Sequence, residues 1–108
     1  MFVIRRVYEV KPGMARAFAT VARRQADAYE TSGQRSATQI YFNGGTTPGE
    51  VDRVYMEWTA DVLESVYRQG NIVPQSAIDA SQPGQDMTVR TWIEFYELMT
   101  PAKMVTDV

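Results

Sequence analysis

The sequence predicts one α+β domain whose strands and helices follow in the order βαββαβ. The length of 108 residues is enough for one domain with its own core and too short for two. Four segments rich in β-branched and aromatic residues are typical of strands, and two segments with apolar residues every three or four positions are typical of helices. Since right-handed crossovers leave few other connections, this order predicts a four-stranded antiparallel sheet with both helices on one face, the ferredoxin-like arrangement.

The first half of the chain contains two predicted strands and one long predicted helix. Residues 2–10 form the first strand, which ends at the turn signal Lys-Pro-Gly. The helix covers residues 13–29, and Gly33 suits the left-handed position just beyond a helix end. Residues 36–43 form the second strand. The loop that follows is rich in glycine and proline and is too long for a two-residue hairpin turn.

The third strand and the second helix are predicted from the next segment. Residues 51–58 form the strand, after which Thr59 caps a helix that runs to about residue 69. The apolar face of this helix would hold Val62, Leu63, Val66 and Tyr67.

The last third of the chain gives the weakest and the strongest signals. Residues 71–86 are the hardest to interpret, with a candidate short helix at 74–80 and a surface loop at 81–85; the segment is a lid or a plain connector. Residues 87–98 form the longest predicted strand. A tail from residue 100 shows no periodicity.

Composition excludes several classes of chemistry. There is no cysteine, so disulfides and thiolate nucleophiles are absent, and there is no histidine to act as a base or to ligate haem or zinc. A hard-cation site of carboxylates is left open, but we expect neither a metal nor a cofactor. A net charge of −2 argues against nucleic acid as a partner. No apolar run approaches the roughly 18 residues that span a membrane, and no signal peptide begins the chain, so we expect a cytoplasmic protein.

Alternation along the strands separates two sheet faces. In the last strand, Val89, Thr91, Ile93 and Phe95 suit the helix-packed core, whereas the opposite row is too aromatic for a wet surface. That opposite face is predicted to hold Tyr41, Arg53, Tyr55, Glu57, Arg90, Trp92, Glu94 and Tyr96. The first strand is ambiguous, because Arg5 and Arg6 adjoin. An uncovered aromatic face usually marks an interface, and a second copy of the chain would cover it around a partly polar cavity.

Two short segments give a family resemblance that extends over nearly the whole chain. Val10-Lys11-Pro12-Gly13 leads into the first helix, and Tyr55-Met56-Glu57-Trp58-Thr59 leads into the second. With the element order, they make the chain resemble the dimeric α/β-barrel superfamily, and in particular its antibiotic-biosynthesis monooxygenase and NIPSNAP-like branches. The resemblance implies a homodimer that binds small aromatic or polyketide-like molecules between sheet and helices. Its members include cofactor-free monooxygenases, cyclases, isomerases, haem-degrading enzymes and proteins of unknown role.

The chain departs from that superfamily at positions that matter for chemistry. Several branches place a histidine in or near the second helix, where this chain has Ser65, Val66, Tyr67 and Arg68. Haem-degrading members use a strand-one asparagine, and Arg5 stands at that position here. Both departures argue against haem degradation and histidine-dependent cyclisation.

The candidate catalytic residues are Glu57 and Glu94. In an apolar cavity their pKa would rise toward neutrality, which suits a general base. The alternative, which we favour, is a structural ion pair with Arg5, Arg53 or Arg90, because ion-pair networks perturb carboxylates as often as catalysis does.

The candidate ligand-binding residues surround these carboxylates. Arg5 or Arg6 would hold a carboxylate or an enolate, the alternative being an ion pair with Glu9 or Glu94, and aromatic rings would stack or donate hydrogen bonds. The complete set is Arg5, Tyr41, Arg53, Tyr55, Trp58, Arg90, Trp92 and Tyr96. Trp58 has two positions open: the resemblance puts it at the pocket edge and alternation puts it in the helix-packed core, and a bulge would reconcile them.

Three functions stay open at this stage. The first is an enzyme, either a cofactor-independent monooxygenase that acts on an aromatic or polyketide-like substrate or a cyclase or isomerase that uses the same pocket. The second is a non-catalytic dimeric protein that binds a small hydrophobic or aromatic ligand. The third is purely structural dimerisation.

Overall fold

The computed structural model describes residues 1–65 and 67–108, and it confirms the predicted α+β fold class. Within those residues, no helix is both long enough and apolar enough to cross a membrane. The elements in chain order are β1 (Phe2–Val10), α1 (Ala15–Thr31), β2 (Gln39–Asn43), β3 (Arg53–Ala60), α2 (Gln75–Ser81) and β4 (Thr88–Glu97), with short 3₁₀ turns at Gln82–Met87 and Pro101–Lys103.

The four strands form one antiparallel sheet in the order β2-β3-β1-β4. This is the strand order of the ferredoxin-like arrangement. Strand β1 lies between β3 and β4, and Arg5 faces Glu57 on one side and Glu94 on the other. The sequence left Arg5 and Arg6 undecided, and this register puts Arg5 on the same face as the two carboxylates.

The core lies between helix α1 and one face of the sheet. Along α1 the buried side chains include Ala15, Phe18, Ala22 and Ala26, which recur at helical spacing and form one stripe. They pack on Met56 and its strand neighbours, which are almost fully buried. Helix α2 packs against α1. The opposite sheet face is covered by none of the described elements, and the chain is a slab of 49 × 41 × 19 Å.

The helix predicted from Thr59 to about residue 69 is wrong for the described residues. Strand β3 continues to Ala60, because Thr59 pairs with Val3 of β1 and therefore does not act as a cap. Residues 61–65 and 67–74 form bends, turns and irregular backbone. Val62, Leu63 and Tyr67, which were to form the buried face, are exposed, so that an isolated short helix would have no packing to stabilise it. Val66, assigned to the same face, lies outside the described residues.

Residues 71–86 are packed more closely than their sequence indicated. The short helix predicted at 74–80 is present as α2, Gln75–Ser81, with Ala77 fully buried. The segment predicted as a surface loop at 81–85 is mostly exposed, but it belongs to a 3₁₀ turn whose Gly84 is buried against Phe18 and Val21 of α1. The absence of a side chain at this glycine permits the close approach.

Candidate functional site

The uncovered sheet face carries the row of residues that alternation predicted. Cross-strand partners point to the same face, and the register pairs Arg5 with Glu57 and Glu94, and Tyr41 with Tyr55. Arg53, Arg90, Trp92 and Tyr96 lie on this face by the same alternation. Of the predicted site residues, Trp58 alone is on the other side of the sheet, opposite Ile4 and near α1.

Glu57, the first candidate base, is held in an ion pair. The Nη2 and Nε atoms of Arg5 donate to its Oε2 at 2.8 and 3.1 Å. The hydrogen bond to Glu57 is the main reason that the pKa of Arg5 is raised. The contact is the structural pairing that the sequence analysis favoured, and a role for Glu57 as a base stays a prediction.

Glu94, the second candidate base, accepts two hydrogen bonds from its own strand. Tyr96 donates its hydroxyl at 2.5 Å and Trp92 donates Nε1–H at 3.0 Å. These bonds favour the ionised carboxylate and lower the pKa of Glu94, with the Tyr96 bond as the largest cause. The direction is opposite to the rise that suits a general base.

The remaining cations on the uncovered face are also paired. Arg90 Nε lies 3.2 Å from Glu9 Oε2, and its guanidinium lies 4.6 Å from the Trp92 ring centroid. Arg53 lies 4.0 Å from Glu9 and 3.8 Å from Glu50. A shallow hollow of about 350 Å³ lies between Arg5, Tyr41, Tyr55 and Glu57.

A larger cleft lies on the other face of the sheet. Its volume is about 840 Å³, and it is bounded by the sheet, the C-terminal half of α1 and the segment that follows β3. Its aromatic and aliphatic lining from the sheet and α1 consists of Ile4, Tyr8, Tyr29, Trp58, Ile93 and Phe95. Arg6 and Arg35 also line it, as does Glu64, which is paired with Arg68 at 3.3 Å.

Arg35 is the most unusual residue of this cleft. Its guanidinium carbon lies 3.9 Å from the Tyr29 ring centroid and 4.0 Å from that of Trp58, so that the cation is held between two aromatic faces. Burial lowers the pKa of Arg35, and the positive charge of Arg6 acts in the same direction. Among residues 1–65 and 67–108, no carboxylate lies within 4.0 Å of the Arg6 or Arg35 guanidinium.

Trp58 occupies both of the positions that the sequence left open. It packs against the α1 core as a partly buried residue, and it also lines the cleft. The β1–β3 register is unbroken from Phe2 to Glu9, so no bulge is needed to bring the ring there.

Three residues that line this cleft, Tyr8, Tyr29 and Arg35, were not predicted as site residues, whereas Arg6 was predicted as an alternative to Arg5 for holding a ligand anion. Tyr29 fits the apolar face of α1 and reads as a core residue, whereas Arg35 follows the helix end in a segment without periodicity. Once Arg5 is assigned to the uncovered face of β1, Arg6 and Tyr8 must point to the other face, which lines the cleft. The sequence did contain a signal for this assignment, because oppositely charged residues favour facing positions on neighbouring strands and Arg5 can face Glu57. Among the described residues, no group of three or more carboxylates is placed to hold a metal ion.

Known structures share this fold. A protein from Agrobacterium tumefaciens has a TM-score of 0.69 at 14% identity, covering 97% of this chain and 100% of its own. An uncharacterized NIPSNAP-like domain protein from Burkholderia xenovorans has 0.67 at 18%, covering 97% and 90%. An uncharacterized NIPSNAP domain protein from the same organism has 0.64 at 15%, covering 99% and 100%. The sequence matches no protein-family model and no curated protein. The chain therefore has the ferredoxin-like fold of NIPSNAP-like domain proteins. The sequence identities are too low to assign it an activity.

Proposed function

We propose that this chain is a homodimeric protein that binds a small molecule. The ligand, which has an aromatic or apolar body, would bind in the cleft between the sheet and α1. The observation that carries the proposal is the cleft itself. Its volume of about 840 Å³ is within the range of small-molecule sites, roughly 300–1,000 Å³. Aromatic rings form part of its wall, and polar or charged side chains line much of the rest, so the cleft offers both apolar surface and groups that can orient a ligand.

The test of the cleft uses the two tryptophans, which lie on opposite faces of the sheet. Their indole N–H signals in an ¹H–¹⁵N spectrum are assigned with Trp58→Phe and Trp92→Phe. We expect the neutral probe N-phenyl-1-naphthylamine to shift the Trp58 signal and to leave the Trp92 signal in place. A shift at Trp92 alone, or at neither residue, would refute the cleft as the binding site.

The homodimer is supported by the character of the uncovered sheet face. Tyr41 and Tyr96 are nearly half exposed there, at 47% and 45%, in a row that also contains Trp92. Each arginine of the face already has a carboxylate partner in its own chain, and the carboxylate of Glu94 accepts hydrogen bonds from Tyr96 and Trp92, so covering the face leaves none of these charged groups without a partner. A second copy meets these requirements with the same surface on both sides.

Two adjacent residues of β2 give a matched test of the dimer. Tyr41 is 47% exposed on the uncovered face, and Phe42 is 50% exposed on the other face of the same strand. In sedimentation velocity we expect a dimer for the wild type and for Phe42→Arg, and a monomer for Tyr41→Arg. A wild-type chain that is monomeric at about 100 μM, far above the Kd of a stable dimer, would overturn the proposal.

A second candidate function is catalysis at the hollow of the uncovered face, as a cofactor-independent monooxygenase or as an isomerase or cyclase. The observation that favours it is the placement of Glu57, Arg5, Tyr41 and Tyr55 around one space of about 350 Å³. Glu57 would remove a C–H proton beside a carbonyl, and Arg5 would hold the enolate oxygen. In the oxidative case dioxygen takes the electrons, so that a CH₂ group becomes C=O and water is the second product.

The catalytic candidate is tested by oxygen uptake with anthrone, an enolisable aromatic probe. We expect Glu57→Gln to abolish the enzyme-dependent rate and Glu94→Gln to reduce it. Glu97→Gln is the control, because this carboxylate pairs with Lys103 away from the hollow. If neither Glu57→Gln nor Glu94→Gln changed the rate, the assignment of the base would be wrong.

A further inference from the structure

We infer that the ligand of the large cleft is an anion, a carboxylate or similar oxyanion on an aromatic or apolar body, and that Arg6 and Arg35 bind its charged group. This inference rests on the proposed function, because it names the ligand class of the same cleft.

The arginines on the two faces of the sheet differ in whether they are paired with carboxylates. On the uncovered face Arg5, Arg53 and Arg90 each lie within 4.0 Å of a carboxylate. In the cleft, Arg6 and Arg35 have no such partner among the residues that the structure describes, and the carboxylate of Glu64 is already paired with Arg68. The rigid wall of the cleft therefore carries two cations whose charge nothing within the described chain balances.

Arg35 has more hydrogen-bond donors than the described residues satisfy. A guanidinium has five N–H donors. Within the described part of the chain, the only hydrogen-bond acceptor for Arg35 is Met56 Sδ, 3.4 Å from Nη1, and a thioether is a weak acceptor. Stacking on Tyr29 and Trp58 fixes the plane of the guanidinium but satisfies none of its in-plane donors. A carboxylate or another oxyanion with two or more acceptor oxygens is the group that accepts several of these bonds at once.

The positive charge of Arg35 is unfavourable in the cleft when no anion is bound. Arginine stays protonated at every physiological pH, so Arg35 keeps its charge in the cleft although burial lowers its pKa. The charge of Arg6 lowers it further. A bound anion removes both penalties, because it replaces lost hydration and lies between two like charges.

The aromatic wall defines the rest of the ligand. Trp58, Tyr8 and Phe95 line the cleft beside the two arginines, so an anion that enters it contacts rings as well as cations. Burial raises the pKa of Tyr8, which keeps its phenol protonated and able to donate a hydrogen bond to the same anion. A single small inorganic anion would leave these apolar surfaces uncovered.

The test compares two probes that share one aromatic skeleton. 8-Anilinonaphthalene-1-sulfonate carries an anionic group, and N-phenyl-1-naphthylamine is its neutral counterpart. We expect the wild type to bind the sulfonate at least about ten-fold more tightly, and Arg35→Gln and Arg6→Gln each to weaken its binding roughly 10- to 100-fold, the range of a charge-assisted hydrogen bond. The neutral probe should change less than about three-fold in either variant, since it makes no charge-assisted bond.

Arg24→Gln is the matched control, because it removes the same charge from an exposed position of α1. It should leave both affinities unchanged. Equal affinity of the wild type for the two probes, or an equal loss of both in the Arg6 and Arg35 variants, would overturn the inference while leaving the cleft as a binding site. Failure of the neutral probe to shift the Trp58 indole signal would instead overturn the proposed function. A thermal melt of each variant separates lost binding from lost folding.

Discussion

The substitution Gly84→Ala tests whether residues 82–87 are part of the core. An added Cβ would lie 2.9 Å from Cε2 of Phe18, 3.2 Å from its Cδ2, and 3.1 Å from Cγ1 of Val21. The first distance is shorter than van der Waals contact permits, and both neighbours belong to the buried face of α1. Phe18 cannot easily move, because its ring also contacts Tyr8 with 4.6 Å between the ring centroids.

The size of the effect follows from two opposing terms. Overpacking of a closed core costs about 1–3 kcal/mol. Replacing glycine by alanine at a position without positive φ stabilises by about 0.4–1 kcal/mol through the unfolded chain, and Gly84 has no positive φ. The net expectation is a loss of about 1–2 kcal/mol, which for a domain of this size lowers Tm by roughly 4–15 °C.

The assay is thermal and urea unfolding beside the same change at Gly44. That glycine also has no positive φ, and an added Cβ there meets nothing within 4 Å, so Gly44→Ala should be neutral or slightly stabilising. Phe18→Leu should cost less in the Gly84→Ala background than in the wild type, because the clashing ring atoms are removed. Equal stability of Gly84→Ala and Gly44→Ala would refute the assigned packing of this turn.

Three further predictions concern stability. Met56 is 1% exposed, so Met56→Ala should cost about 2–5 kcal/mol, seen as a lower urea midpoint at unchanged m; a loss under about 1 kcal/mol would contradict a closed core there. A backbone hydrogen bond from Thr38 is the main cause that lowers the pKa of Glu30. A depressed pKa gives stability that is present above the ordinary value of 4.5 and is lost as pH falls through the folded value, so Glu30→Gln should flatten the decline of Tm below about pH 4.5; an unchanged acid limb would contradict this. If the wild type forms the proposed dimer and Tyr41→Arg prevents it, Glu57→Gln should cost about 1 kcal/mol or less in the Tyr41→Arg background and several times more in the wild type, where the pair would be covered; equal losses by urea unfolding would contradict a covered pair.

The two-residue period of the strands was the most informative feature of the sequence. Side-chain alternation in a strand is set by local backbone geometry, so it holds whatever the strand packs against. Trp92 and Glu94 were therefore separable from Ile93 and Phe95 before any partner strand was known. The order of elements, combined with the handedness of crossovers, was then enough for the fold class.

The second helix could not be predicted on the same basis. A short helix is stabilised mainly by burying its apolar face, and whether a face finds a partner is a property of the whole fold. Leu63 and Tyr67 have the right spacing but are exposed, at 45% and 91%. Ala77, in a segment with a weaker signal, is fully buried in α2. The spacing of apolar residues shows that a segment could form a helix with a buried face, but it does not show whether another part of the fold covers that face.

The cleft depends even more on tertiary structure. Its walls come from one row of the sheet, from the α1 face that also builds the core, and from the connection between α1 and β2. Arg35 belongs to that connection, where neither period applies. Its position between Tyr29 and Trp58 joins parts of the chain that only the folded sheet brings together.

The pairing of the arginines leads to opposite salt responses on the two faces. On the uncovered face the charges are neutralised within each chain, so association there would depend on apolar burial, which salt does not weaken. In the cleft Arg6 and Arg35 have no partner among the described residues, so anion binding would be weakened by screening. Raising NaCl from about 0.05 to 0.5 M shortens the screening length about three-fold. It should release the sulfonate probe, whereas the proposed dimer should persist. Loss of the dimer with retention of the probe would show that the charges of the two faces had been assigned to the wrong roles.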